Sequence, residues 1–96
     1  MKRVRFLTGA RAEFGAGLAY YGQLQPPRAS DFRKAVEQAA ALALAFPDAG
    51  QVAMGARKIV VRHFPHNLIY QQEIDGVLIV ALSHQSRRPG YWIDRI

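Results

Sequence analysis

Residues 57–84 read RKIVVRHFPHNLIYQQEIDGVLIVALSH and contain three apolar runs, at 57–64, 67–74 and 77–84. Short β-branched runs bounded by turn residues are typical of strands. The Asp75-Gly76 pair predicts a two-residue hairpin turn, because both residue types tolerate a positive φ. The Pro65-His66 pair predicts the other tight turn. The stretch therefore predicts an antiparallel meander of three strands.

The amino-terminal residues predict a strand followed by a helix. Residues 2–7 alternate basic and apolar side chains, as expected of a short half-buried strand. A helix is predicted over residues 10–25, because large side chains recur on one of its faces. These side chains are Phe14, Leu18 and Tyr21. The Pro26-Pro27 pair is expected to end this helix, since proline lacks an amide donor.

A second helix is predicted from Ser30 to Phe46, with Pro47 as its stop and residues 47–55 as a loop. Two helices with a short connection indicate an antiparallel hairpin. The order β-α-α-β-β-β then predicts an α+β fold, with the helix hairpin packed on a small, mostly antiparallel sheet. We expect a single domain over residues 1–96.

The composition narrows the class of partner. The chain has 96 residues, with 13 Lys and Arg against 7 Asp and Glu, a formal charge of +6 and a pI near 10.3. This excess of positive charge favours binding to anionic partners. The sequence has no cysteine, which excludes disulfides and cysteine-ligated zinc and fits a reducing cytoplasm. We expect no cofactor, no metal site, no signal peptide and no membrane span.

Cationic and ring side chains gather around the predicted sheet. They predict a surface that binds an anionic macromolecular target. The predicted target-binding residues are Arg57, Arg62, His84, Arg87, Arg88, Tyr91 and Trp92. A second interpretation stays open, in which the charges solvate strand faces and the two rings cover the core.

General acid–base chemistry is another possibility. A histidine at a strand end can move a proton during RNA cleavage, and a nearby arginine can stabilise the charged phosphorane. The candidate catalytic residues for such a ribonuclease are Arg62, His84, Arg87 and Tyr91. A plain nucleic-acid-binding module would need only the cationic surface.

The carboxy-terminal motifs resemble those of the RelE/ParE superfamily of toxins from type II toxin–antitoxin systems. The residues that carry the resemblance are Phe64-Pro65-His66, Tyr70, His84, Arg87-Arg88-Pro89, Tyr91-Trp92 and Arg95. They are most similar to the ParE-like, plasmid-stabilisation branch, which is associated with inhibition of DNA gyrase. The RelE-like branch cleaves messenger RNA on the ribosome, and its lysine-rich central strand is reduced here to Lys58. The resemblance therefore favours a gyrase inhibitor, with a ribosome-dependent mRNA endoribonuclease as the alternative.

The resemblance also implies a protein partner. ParE-like toxins are neutralised by a small cognate antitoxin, whose DNA-binding part is often ribbon-helix-helix and whose acidic segment wraps the toxin. Charge complementarity with a basic chain agrees with such a complex. Tyr20 and Leu24, on the first predicted helix, are the expected antitoxin contacts.

Overall fold

A five-stranded sheet with two helices on one face makes up the computed structural model, which describes residues 2–96. The elements are β1 (Arg3–Phe6), α1 (Thr8–Leu24), α2 (Pro26–Ala45), β2 (Gln51–Ala53), β3 (Ala56–Val61), β4 (His66–Glu73), β5 (Gly76–His84) and a final 3₁₀ turn (Ile93–Arg95). The strand order is β1-β5-β4-β3-β2. Only β1 pairs in parallel, with β5. The predicted α+β, mostly antiparallel fold is confirmed, while Met1 of the predicted domain lies outside the described residues.

The second helix begins at Pro26, four residues before the predicted start at Ser30. Proline is well suited to the first helical turn, because the amide that it lacks has no partner there. Gln25, with an extended φ of −154°, is therefore the only residue between the two helices. The proline pair ends one helix and starts the next.

The predicted loop over residues 47–55 contains a fifth strand, β2, which pairs antiparallel with β3. Met54 and Gly55 form the turn between them, with φ values of 52° and 83°. Two consecutive positive φ values are typical of the tight turn that suits a two-residue hairpin. The strand escaped sequence analysis because its three residues are too few to show alternation.

The hairpin between β4 and β5 turns at Ile74 and Asp75, one residue before the predicted Asp75-Gly76 pair. Gly76 instead opens β5 with a φ of 152°. A Cβ at Gly76 would collide with the backbone carbonyl of Arg3 in the neighbouring strand. Glycine is needed here for close strand approach.

The turn between β3 and β4 spans residues 62–65, so the predicted Pro65-His66 turn is also shifted. His63 has a φ of 70° in this turn. His66 begins β4 and is buried, at 8% exposure. Strand β3 accordingly ends at Val61 and not at the predicted Phe64.

The central strands β4 and β5 are largely buried on both faces of the sheet. Helices α1 and α2 cover one face, where Phe32, Leu68 and Tyr70 are fully buried. The segment after β5 covers the other face, where Trp92 packs with Ile69 and neighbouring β5 residues. Phe46, the last residue of the predicted second helix, is 64% exposed because it follows the last helical turn. No helix within residues 2–96 has the length and apolarity that crossing a bilayer requires.

Candidate functional site

A groove of about 340 Å³ lies between α1 and the segment that follows β5. It contains three of the predicted target-binding residues, His84, Arg87 and Tyr91, together with the predicted antitoxin contact Tyr20. Helix α1 also contributes Glu13 to the lining. The fold thus brings a cation, a histidine and two rings together from opposite ends of the chain.

Glu13 is the centre of the polar contacts in this groove. Its Oε1 accepts hydrogen bonds from the Leu82 amide at 3.0 Å and from Arg95 Nη1 at 2.9 Å. Its Oε2 accepts from the Tyr91 hydroxyl and from Arg95 Nη2, the latter at 3.1 Å. Burial raises the pKa of Glu13, but these hydrogen bonds outweigh burial and the net pKa lies below its usual value. Glu13 is therefore an ionised anchor joining α1, β5 and the final turn.

Sequence analysis did not select Glu13 as a site residue. It is one of only seven carboxylates in the chain, and no local motif surrounds it. Its partner Tyr91 is 78 positions away. One signal could have indicated Glu13. It is a carboxylate in a strongly basic chain, and it lies on the same predicted helix as the expected contact Tyr20.

Tyr91 and Arg87 form a stacked pair. The Arg87 guanidinium carbon lies 4.0 Å from the centroid of the Tyr91 ring, and that of Arg95 lies 5.3 Å from the same centroid. Burial and the hydrogen bond to Glu13 raise the pKa of Tyr91 to about 12. The Tyr91 hydroxyl thus stays protonated near neutral pH, and its proton is directed at a carboxylate.

Two histidines meet at the inner end of the groove. The rings of His66 and His84 are 5.0 Å apart and nearly perpendicular. His66 Nε2 lies 3.0 Å from the Tyr21 hydroxyl, while His84 Nδ1 accepts a hydrogen bond from the Ser86 amide at 3.0 Å. Burial, with a smaller effect of His84, lowers the pKa of His66 to about 4. His66 is therefore neutral at physiological pH.

Other predicted target-binding residues lie elsewhere. Arg62 lines a separate groove beside α2, with Lys34 among its neighbours. Arg57 donates to the Gly50 carbonyl at 2.8 Å and lies 3.6 Å from the Asp48 carboxylate. Trp92 is only 3% exposed, so the second interpretation, in which it covers the core, describes its position. Arg57 lies on β3, whereas Arg62 lies in the turn after β3 and Trp92 in the segment after β5, so the three side chains reach different surfaces.

The geometry is better suited to contact than to acid–base chemistry. The four residues of the ribonuclease alternative do not share one groove, since Arg62 is apart from His84, Arg87 and Tyr91. The groove presents the exposed side chain of Arg87, whose guanidinium lies over the Tyr91 ring, and the hydroxyl of that ring is bonded to Glu13. Arg88 follows Arg87 as a second exposed cation. Residues 2–96 contain no cluster of three or more side chains suited to holding a metal.

The predicted antitoxin contacts lie on the outer side of α1. Tyr20 and Leu24 are 59% and 61% exposed and are spaced four residues apart, which places them on one face of the helix. Tyr20 also forms part of the groove that contains Arg87. A partner covering this face of α1 would therefore reach the groove as well.

Comparison with known proteins gives two findings. The family model described as the ParE toxin of the type II toxin–antitoxin system, parDE, matches residues 4–89. Among solved structures, a chain of the chromosomal ParDE TA system from P. aeruginosa superposes with a TM-score of 0.72 and 17% identity, over 88% of this chain and 96% of that chain. At that identity the superposition shows a shared fold. The search of curated proteins returned no match.

Proposed function

The chain belongs to the ParE toxin family of type II toxin–antitoxin systems, and from this premise we propose that it inhibits DNA gyrase by direct protein contact and is neutralised by a cognate antitoxin. The family match over residues 4–89 is the observation that carries the proposal. The mechanism is binding, with no covalent step. We place the target-binding surface at the groove that contains His84, Arg87 and Tyr91.

Two features of this groove favour binding over RNA cleavage. Its tyrosine hydroxyl is bonded to Glu13, and its pKa near 12 makes it a poor proton donor at neutral pH. The exposed guanidinium of Arg87 can pair with carboxylates at a protein surface. Arginine is common among the residues that dominate protein interfaces.

A supercoiling assay tests the gyrase proposal. Purified protein is added to gyrase and relaxed plasmid, and we expect loss of supercoiling or accumulation of cleaved DNA. Arg87→Ala should raise the half-inhibitory concentration about tenfold, because central interface arginines typically contribute more than about 1 kcal/mol. Arg33→Ala, an equal change of charge on α2, is the matched control and should change it less than about twofold.

The ribonuclease alternative makes a different prediction. Primer extension on a translated message should show no codon-positioned cuts when the protein is added. Such cuts, together with unchanged gyrase activity, would contradict the proposal and favour the RelE-like reaction. Salt-dependent binding to naked DNA or RNA, without either effect, would favour a plain nucleic-acid-binding module.

We assign antitoxin recognition to the exposed face of α1. Tyr20→Ala and Leu24→Ala should each weaken the complex with the product of the adjacent open reading frame, expected to carry a ribbon-helix-helix part. The loss should be about tenfold in Kd, because each variant truncates a large exposed side chain. Gln23→Ala is the matched control, since Gln23 is exposed on the same helix between them. Equal effects of all three variants would contradict this assignment.

A further inference from the structure

We propose that Tyr91, Glu13 and Arg95 are positioning residues, which hold the Arg87 guanidinium in the orientation needed to bind a carboxylate of the protein target. The inference rests on the proposed function for the identity of the target. It assigns Tyr91 a role different from contact or catalysis, since its hydroxyl is already used within the protein.

Arg87 loses rotational freedom through its contact with Tyr91. It follows a turn and is exposed, and an exposed arginine loses considerable rotamer entropy when it binds. Stacking over the Tyr91 ring at 4.0 Å limits that freedom before binding occurs. The contact places the guanidinium carbon over the ring, and because a guanidinium has five N–H donors, donors remain available for a carboxylate.

The Tyr91 ring is itself held in place by hydrogen bonds. The Tyr91 hydroxyl is bonded to Glu13, and Arg95 bonds both Glu13 oxygens and the Val80 carbonyl, the last at 3.1 Å. The ring is thereby connected to α1 and to β5 at the same time. Preorganised groups of this kind reduce the ordering cost of binding.

The charges of Arg95 and Arg87 differ in their surroundings. Glu13 is paired with Arg95 at 2.9 Å, and this pair is largely removed from solvent. The ion pairs found within residues 2–96 do not include Arg87. Its positive charge is therefore available to an incoming anion, and under the proposed function that anion is a carboxylate on a protein.

A pair of substitutions at Tyr91 separates the ring from the hydroxyl. Tyr91→Phe and Tyr91→Leu both remove the bond to Glu13, but only Tyr91→Leu removes the stacking surface. We expect Tyr91→Phe, which keeps the ring but loses its bond to Glu13, to inhibit gyrase about twofold more weakly than the wild type, and Tyr91→Leu to be about fivefold weaker. Thermal unfolding of both variants checks that they are comparably folded.

A double-mutant cycle with Arg87→Lys tests the coupling directly. Lysine keeps the charge but loses the planar stack, so Arg87→Lys and Tyr91→Leu should each weaken inhibition and the double variant should be no weaker than the worse single variant. Multiplicative losses, or equal losses from Tyr91→Phe and Tyr91→Leu, would overturn the inference. If the wild type leaves gyrase unaffected, the proposed function fails instead.

A measurement on the protein without gyrase distinguishes failure of the positioning role from failure of the proposed function. The Arg87 Nε–H resonance should show a ring-current shift in the wild type and in Tyr91→Phe, and lose it in Tyr91→Leu. Titration with acetate should perturb this resonance, with a half-saturating concentration about fivefold higher for Tyr91→Leu. An unshifted resonance, or equal acetate affinity in all three proteins, would contradict the positioning role whatever the gyrase assay shows.

Discussion

Among single residues, His66 shows how burial in the fold changes the protonation chemistry of a side chain. Its sequence context, between a proline and an asparagine, indicated a turn. In the fold it lies against Phe32, with ring centroids 5.0 Å apart, and contacts the Tyr21 hydroxyl. Burial among these rings disfavours the charged imidazole and lowers its pKa from 6.5 to about 4.

The lowered pKa of His66 predicts an acid-sensitive stability. Between pH 6.5 and pH 4 the unfolded chain binds a proton at this position that the folded chain does not bind, so the free energy of unfolding falls as pH falls through this range. The loss attributable to His66 should reach about 3 kcal/mol near pH 4. Urea unfolding at half-unit steps from pH 7.5 to pH 4.5 measures most of it.

His66→Gln supplies the control, because glutamine can bond Tyr21 but does not titrate. We expect the variant to be less stable at pH 7.5 and to show a shallower pH dependence above pH 5. Parallel pH profiles for the two proteins would show that His66 does not cause the acid sensitivity.

At the scale of elements, α1 carries more glycine than an ordinary helix. A Cβ at Gly17 would lie 2.5 Å from a ring carbon of the buried Phe32, whereas a Cβ at Gly15 would meet nothing within 4 Å. Gly17 is therefore needed for the close approach of α1 to α2. Gly15 lowers helix stability without any packing benefit.

The two glycines predict opposite effects of the same substitution. Gly15→Ala should raise the free energy of unfolding by about 0.5 to 1 kcal/mol through helix propensity. Gly17→Ala should lower it by about 1 to 2 kcal/mol, because the clash with Phe32 exceeds the same propensity gain. Thermal unfolding separates them, with shifts in Tm of about 4 to 8 °C per kcal/mol for a domain of this size. Stabilisation by both substitutions would mean that the helices can separate slightly at no cost.

Sequence patterns predicted the type and order of the main elements but not their ends. Helical periodicity identified both helices and alternation identified the first strand, because burial of one face imposes those periods, while β-branched runs between turn residues identified the meander. The start of α2 at Pro26 follows from the fit of proline to the first helical turn, whereas the boundaries at His66 and Gly76 depended on how neighbouring strands approach. Strand β2 exists only because β3 offers it a partner, so its three residues carry no signal of their own.

At the scale of the whole molecule, the excess of positive charge is spread over separate surfaces. Arg87 lies at the groove beside α1, Arg62 at the groove beside α2, and Arg57 near the loop that follows α2. The sequence-based expectation of one shared cationic cluster is thus only partly met by the fold. A formal charge of +6 still produces a long-range field around the molecule.

This field predicts that association with the proposed antitoxin, which we expect to be acidic, depends on salt mainly through its rate. Raising ionic strength from about 50 to 500 mM should slow association about tenfold or more, with a much smaller change in dissociation. Stopped-flow mixing measures both rates. The double variant Arg33→Gln, Lys34→Gln lowers the formal charge by two and should reduce the salt dependence. A salt effect confined to dissociation would contradict electrostatic steering.

The sequence alone determined the α+β class, the helix hairpin, the meander and the family, because burial periodicity and short motifs are local properties of the chain. The tertiary structure decided which predicted site residues share a surface. It placed Tyr91 beside Glu13 across 78 positions and buried Trp92 against one face of the sheet. Contacts over such separations depend on strand order and on the path of the final segment. Neither property produces a periodic pattern in the sequence of the residues that make the contacts.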